Sequence, residues 1–278
     1  MKILITGGAG YIGSELVSHL LPNHEVTVYD NVMYDRTSLL RYVKDKNFNF
    51  INGDVRSTST LSSLVKKHDV IIPLAALVGF PLCDKKPKET EEINLWANKF
   101  IAESKSKDQI VIYPCTNSGY GKSENGSVCT EESALKPVSL YGKTKVDAEE
   151  AYRGVDNHVT FRLANVYGPR NPLIGEYTPI IAKFEQLKKE GKPLTVVGDG
   201  EQRRDFTHVY DICEGLIKLS EGKWNGEVFN LGTGKNYSIN EVSEMFRAMG
   251  HNDVTYIPAR PGEYDVTLCD YSKAEQYL

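Results

Sequence analysis

Tyr141 and Lys145 stand four residues apart in the segment Tyr-Gly-Lys-Thr-Lys. On a helix, positions i and i+4 share a face, so the ammonium would lie beside the phenol. A tyrosine of ordinary pKa, about 10, is a poor base at neutral pH. A neighbouring cation favours phenolate and lowers that pKa. So tuned, Tyr141 can take a proton from a hydroxyl while hydride leaves the same carbon. Thr116, 25 residues earlier, offers a hydroxyl to the same oxygen. The spacing alone is weak ground, because Tyr42 and Lys46 repeat it in a chain with 16 tyrosines. Position separates the two. Tyr141 follows the fifth strand-like segment on the crevice side, whereas Tyr42 falls in an early surface helix.

A hydride needs an acceptor, and the N-terminus suggests one. Gly8-Ala9-Gly10-Tyr11-Ile12-Gly13 fits G-x-G-x-x-G, and Gly7 adds a further glycine three residues before Gly10. Glycines permit a tight turn and let backbone approach a pyrophosphate, while a helix N-terminus offers free N–H groups to the phosphates. The motif follows an apolar strand and opens a helical pattern, the context that gives it meaning. Asp30 ends the next strand, 17 residues after Gly13. Its carboxylate can accept from an adenosine ribose and would repel a 2′-phosphate, so NAD is expected rather than NADP. Asp54 and Val55, after the third strand, are placed to touch the adenine.

The elements that must hold these residues follow from the apolar runs. Strands are expected at Lys2–Thr6, Glu25–Asp30, 47–52, 69–74, 109–113 and His158–Leu163, with helices at 11–21, 36–45, 58–67, 88–104 and 139–152. Strand alternating with helix predicts an α/β fold, a doubly wound parallel sheet with its crevice at the carboxyl ends of the strands. After Gly168 prolines and glycines break the rhythm, ahead of a helical stretch at 179–190, and a second irregular region starts at Gly232. The expected division is a dinucleotide domain at 1–165 and 205–235, and a smaller discontinuous substrate domain at 166–204 and 236–278.

Composition narrows the function. The 278 residues are 40% hydrophobic and 25% charged, with net charge −4. That is globular composition, without the basic footprint of a nucleic-acid binder. The apolar stretch at 70–80 is broken by Pro73 and Gly79 and falls short of the roughly 20 residues that span a bilayer. The strand and glycine pattern begins at once, leaving no room for a signal peptide. Five cysteines form no C-x-x-C pair and six histidines show no ligand spacing, so free thiols, no metal and a cytoplasmic location are expected. Cys115, beside Thr116, reads as a buried structural thiol.

Taken in order, these segments resemble the extended short-chain dehydrogenase/reductase family, in particular its NAD-dependent nucleotide-sugar epimerase/dehydratase group. The resemblance runs through Ile5-Thr6-Gly7-Gly8-Ala9-Gly10-Tyr11-Ile12-Gly13, Asp30-Asn31, Gly53-Asp54-Val55, Leu74-Ala75-Ala76, Asn94, and Thr116 with Tyr141-x-x-x-Lys145. It continues through Arg162 to Pro169, Gly198-Asp199-Gly200, Arg204-Asp205-Phe206 and Arg260-Pro261-Gly262-Glu263. It implies that Lys145 also holds the nicotinamide ribose, that Asn31, Leu74, Ala75, Ala76 and Asn94 border the cofactor, and that Asn165, Arg204 and Arg260 meet a substrate diphosphate, with Glu263 on a ribose. It also implies a homodimer built on the helices at 88–104 and 139–152.

Dehydratases that this chain resembles carry an Asp-Glu pair directly after the active-site threonine; here Asn117 and Ser118 stand there, and neither is a carboxylic acid. Two readings remain, and because residues 165–170 and 197–201 resemble the general epimerases, a nucleotide-sugar 4-epimerase acting through transient oxidation at C4 is the expectation. Net C4 oxidation, as in the GDP-heptose oxidases that residues 74–83 and 116–121 resemble, is the alternative. A non-catalytic NAD-binding protein is disfavoured, since hydroxyl, phenol and amine are all present. The chain stops within a helical pattern at Leu278, where such relatives continue, which suggests a truncated or differently capped substrate domain.

Overall fold

The structure is a computed structural model that describes residues 1–34, 37–121, 128–172, 178–222, 224–251, 253–259 and 268–278. In chain order the first part comprises β1 (Lys2–Thr6), α1 (Tyr11–Leu20), β2 (Glu25–Asp30), β3 (Phe48–Asn52), α2 (Thr58–Val65), β4 (Val70–Pro73), α3 (Phe80–Lys85) and α4 (Pro87–Thr90). There follow α5 (Ala97–Ser104), β5 (Ile110–Thr116), α6 (Leu140–Tyr152), β6 (His158–Leu163), β7 (Asn165–Tyr167), α7 (Ile180–Lys189) and β8 (Leu194–Val197). The last part holds β9 (Arg203–His208), α8 (Val209–Glu221), β10 (Glu227–Leu231), β11 (Asn236–Ser238), α9 (Ile239–Ala248), β12 (Val254–Ile257) and α10 (Ser272–Tyr277).

Seven strands form one sheet in the order β10-β6-β5-β4-β1-β2-β3, and every pairing is parallel. Its inner strands are covered on both faces, as a doubly wound sheet requires, while the edge strand β3 is largely exposed. Alternation along β1 shows how: Ile3 and Ile5 join the core under α1 and α8, whereas Leu4 joins the core under α2, α5 and α6. β1 and β4 are neighbours, with β2 and β3 on one side and β5, β6 and β10 on the other. That reversal of order opens a crevice at their carboxyl ends. Gly7 follows β1 and Leu74 follows β4, so both lie at its mouth.

A second core packs Phe184, Leu194, Val196, Phe206, Ile239 and Phe246 together. Around it, β11-β9-β7 makes a three-stranded sheet and β12 pairs with β8. The segment from Gly232 onward is thus less irregular than its sequence suggests, and Ser238 starts α9 with a full capping box to Glu241. β9 pairs here, so the chain returns to the large sheet through α8 and β10, and again at α10, whose Ala274 joins the core under α1 and α8.

Two helical expectations are corrected. Of the described residues 37–45 in the 36–45 segment, only Leu40–Tyr42 is helical, a single 3-10 turn. Leu40 and Val43 are exposed and only Leu39 and Tyr42 pack against the core, too narrow an apolar face to hold a longer helix. Tyr42 instead packs edge-on against Phe48 at 6.1 Å, which removes Tyr42 and Lys46 from contention. The 88–104 helix is interrupted by a π-helical stretch, Glu91–Trp96, a distortion common near functional sites. Among the described residues, no helix is long and apolar enough to cross a membrane.

Candidate active site

The crevice holds a cavity of about 540 Å3 lined by Gly7, Gly10, Tyr11, Ile12, Gly13, Asp30, Asn31, Asp54, Val55, Leu74, Ala75 and Ala76, among others. All the residues read as cofactor contacts line it except Asn94, Tyr141 and Lys145. Its floor needs glycine. Gly7 has φ +71, and a Cβ there would stand 2.5 Å from the Ala75 nitrogen; a Cβ on Gly13 would stand 2.6 Å from Gly8 Cα. α1 begins at Gly10 with no side chain capping it, so its first N–H groups face the crevice unfilled. Asp30 Oδ2 accepts from the Ala9 N–H at 2.9 Å and Oδ1 from the Val32 N–H at 2.7 Å. The carboxylate therefore ties the glycine loop to β2, with lone pairs left for a ribose.

Val32 has φ +53, an unusual conformation for a β-branched residue. The sequence gives no sign of it, yet Val32 lines the same cavity. Arg56 hydrogen-bonds Asp54 at 2.8 and 2.9 Å and holds its carboxyl down at about 2. The Tyr11 hydroxyl is buried with no partner among the described residues, and burial pushes its pKa up. A glycine-walled cleft at a helix N-terminus, an acid at its rim and an orphaned hydroxyl fit a dinucleotide.

Asn94 stands behind the wall. It is fully buried, and its amide accepts from the Leu77 N–H and donates to the Leu77 carbonyl, both at 2.9 Å. Its contact is thus with the loop that borders the cavity, and the π-helical stretch is what aims it there.

Thr116 ends β5, and Ser139 caps α6 by accepting from the Gly142 N–H at 3.0 Å. α6 carries Tyr141 and Lys145 one turn apart on the carboxyl side of the sheet. Thr116 Oγ1 and Ser118 Oγ are 2.9 Å apart, a pair of neutral hydroxyls. Lys145 is buried, and loss of hydration brings its pKa down to about 8. Its Nζ lies 4.5 Å from the centre of the Tyr113 ring. One turn on, Glu149 is held by Arg162 in a buried two-point pair at 2.5 and 3.2 Å. Cys115 is buried and its thiol pushed up by burial, the inert thiol expected. Neither Tyr113 nor the Glu149–Arg162 pair was visible in the sequence, since each depends on the register of α6 against β5 and β6.

Asn165 donates to the Asp205 carbonyl at 3.2 Å, and Arg204 Nη1 donates to the Arg203 carbonyl at 2.8 Å. Both lie between the two cores, half-buried. The Asp205 carboxylate is fully buried and accepts from Thr207, Thr233 and Gly234, so it fastens the loop after β10. Arg260 and Glu263 lie outside the described residues. No cluster of three His, Cys, Asp or Glu suited to a metal occurs among the described residues.

The NAD dependent epimerase/dehydratase family profile matches residues 3–232. The chain belongs to that family. It is 30% identical over 286 residues to a putative UDP-glucose 4-epimerase of Methanocaldococcus jannaschii, covering 98% of this chain and 91% of that protein. It is 32% identical to a UDP-N-acetyl-alpha-D-glucosaminuronate decarboxylase of Bacillus cytotoxicus, covering 92% of this chain and 83% of the other. Among solved structures, the UDP-glucuronic acid 4-epimerase of Bacillus cereus, in complex with UDP-glucuronic acid and NAD, superposes with a TM-score of 0.90 at 30% identity, covering 100% of this chain and 93% of that one. The extended short-chain dehydrogenase/reductase resemblance and the Rossmann architecture are thus both borne out, and the protein is an NAD-dependent enzyme of this kind.

Proposed function

We propose that the enzyme is a nucleotide-sugar 4-epimerase that works through transient oxidation at C4. The observation that carries this reading is the neutral triplet Thr116-Asn117-Ser118 at the end of β5, beside the α6 face bearing Tyr141 and Lys145. A dehydration needs an acid to expel water from the sugar, and the two residues after Thr116 supply none. Glu149, the carboxylate one turn beyond Lys145, is bound to Arg162.

When bound, NAD supplies a hydride acceptor for the sugar C4–H, and the donor for its return. The glycine loop, with Gly7, Gly10, Tyr11, Ile12 and Gly13, takes the pyrophosphate on the α1 N-terminus. Asp30 and Asn31 take the adenosine ribose, Asp54 and Val55 the adenine, and Leu74, Ala75 and Ala76 the nicotinamide half. Tyr141 phenolate accepts the O4 proton as the C4–H bond breaks, which leaves a ketone. Thr116 Oγ1 steadies the same oxygen. After the sugar turns, Tyr141 returns the proton to that oxygen and the hydride adds to the opposite face. Lys145 keeps the phenol acidic through its positive charge and holds the nicotinamide ribose. Asn165, Arg204 and Arg260 meet the diphosphate, for which arginine forks are suited, with Glu263 on the nucleotide ribose.

The working division is cofactor binding by 1–165 and 209–235, and sugar binding by 166–208 and 236–259. It departs from the expected boundaries because β9 pairs with β7 and β11 and Ala274 of α10 packs in the core of the large sheet. A homodimer through the helices around Trp96 and α6 accords with the exposure of Trp96 and Val138. A cytoplasmic site accords with the five free cysteines.

Single turnover on a panel of UDP-, dTDP-, GDP- and CDP-sugars tests the reading, with nicotinamide absorbance and NMR of the sugar as readouts. A C4 epimer without lasting NADH is expected, and Tyr141→Phe should lower turnover about 100-fold or more with NAD affinity retained. NADH accumulating with a keto-sugar would replace this reading with net C4 oxidation. A 4-keto-6-deoxy product would restore the dehydratase, and silence across the panel would count against catalysis on nucleotide sugars.

A further inference from the structure

The role given to Lys145 requires a charged ammonium in a place where burial favours the neutral amine. Lys145 is only 4% exposed, and a desolvated cation must find compensation nearby. From β5 it meets the Cys115 thiol and the ring of Tyr113. On α6 itself it has Tyr141 one turn before, the neutral Thr144 beside it and Glu149 one turn after. Glu149 is already committed to Arg162 of β6, so its attraction for Lys145 is largely offset. Against the other side of α6, the π-helical stretch contributes the neutral Asn94. α3 and α4 keep Asp84, Lys85, Lys86 and Lys88 exposed and Glu89 half-exposed.

What remains is the face of Tyr113. Nζ lies 4.5 Å from the ring centre, within the range of a cation–π contact. The Tyr113 hydroxyl donates to the Lys145 carbonyl at 2.9 Å. Tyr113 is itself fully buried, with the Tyr152 ring packed on it at 5.1 Å, so its face is fixed in place. We infer that Tyr113 is a positioning residue for the reaction: its ring keeps Lys145 charged, and its hydroxyl pins the turn of α6 that carries it. The inference rests on the proposed role of Lys145 and adds the residue that sustains it.

The test is a series at one position, on the full-length chain. Phe, 4-fluorophenylalanine and 3,4,5-trifluorophenylalanine replace Tyr113 with nearly constant shape, while fluorine withdraws negative charge from the ring face. Lysines labelled at Cε are titrated by NMR, and the Lys145 signal is the one missing from Lys145→Met. Relative to Tyr113→Phe, the trifluoro variant should lower the Lys145 midpoint by about 0.4 to 1.5 pH units, the monofluoro variant by less. Turnover at neutral pH should fall in the same order. One midpoint across the series would overturn the inference, because a residue that merely fills space would not respond to fluorine. The titration needs no substrate, so its outcome is separate from that of the sugar panel. A graded midpoint with a silent panel would sink the epimerase and leave Tyr113 in place. A flat midpoint with epimerised product would do the reverse.

Discussion

Asp30 illustrates how a single side chain carries two duties. The sequence places it at the end of a strand, one helix after the glycine loop, and that much suffices to expect a ribose ligand. The structure adds that the same carboxylate accepts from Ala9 and Val32, so it also shapes the floor on which a pyrophosphate would rest. Asp30→Ala removes both and should weaken NAD by about 10- to 100-fold, the worth of one or two hydrogen bonds to a charged group. Asp30→Asn keeps an acceptor but not the charge, and should relax the rejection of NADP more than it weakens NAD. Calorimetric titration of both cofactors checks this, and wild-type NAD affinity in Asp30→Ala would remove the ribose assignment. Residues that sit in a short recognisable pattern were open to this kind of reading: Gly7 and Gly13 in the glycine loop, Asp30 at a strand end, Tyr141 with Lys145 on one helix. Asn94 came only through the family resemblance, and its partner Leu77 could not be foreseen, because the path of a loop fixes it. Tyr113 was not readable, because a contact across β5 and α6 leaves no spacing to recognise.

Among the elements, strands were legible because apolar runs in a sheet buried on both faces are hard to mistake. β1, β2 and β6 have the bounds that their sequences suggest. What the sequence could not convey is which sheet a short strand joins: β9 reads like a return to the large sheet and pairs instead with β7 and β11. Nor does it reveal how the two cores are fastened. Arg170, in the loop after β7 with φ +61, reaches Glu15 of α1 at 3.0 Å and donates to the Ser14 carbonyl. Glu15 is almost fully buried, so removing the guanidinium strands a carboxylate. Arg170→Met should cost about 2 to 4 kcal/mol, somewhat below a fully buried pair because Arg170 is partly exposed. Glu15→Gln combined with Arg170→Met should recover much of that loss. Urea unfolding of the two single variants and the double variant gives the coupling, and purely additive losses would show that the pair does not fasten α1 to the loop.

At the level of the whole molecule, burial of neutral histidines ties stability to pH. His68 and His158 each have Nδ1 at 2.6 Å from a backbone carbonyl, of Leu64 and Val155, and burial lowers the pKa of both from 6.5. The unfolded chain binds a proton at each near 6.5, whereas the folded chain resists until lower pH. Stability is therefore fully present above about 6.5 and drains away as pH falls below it. The Asp54 carboxyl adds a second and lower window: its folded value of about 2 against 3.8 makes a contribution that is lost only as pH drops through that range. It is moderated by exposure of the Arg56 pair. Between pH 7.5 and 5.5 the histidines should thus dominate, since the carboxylate has not begun to titrate. The double variant His68→Gln, His158→Gln keeps a donor at each carbonyl but has nothing to protonate at these two positions. Its urea midpoint should change less than that of the wild type over this interval, even if it starts lower. Parallel losses in the two proteins would mean that the acid sensitivity resides elsewhere in the fold.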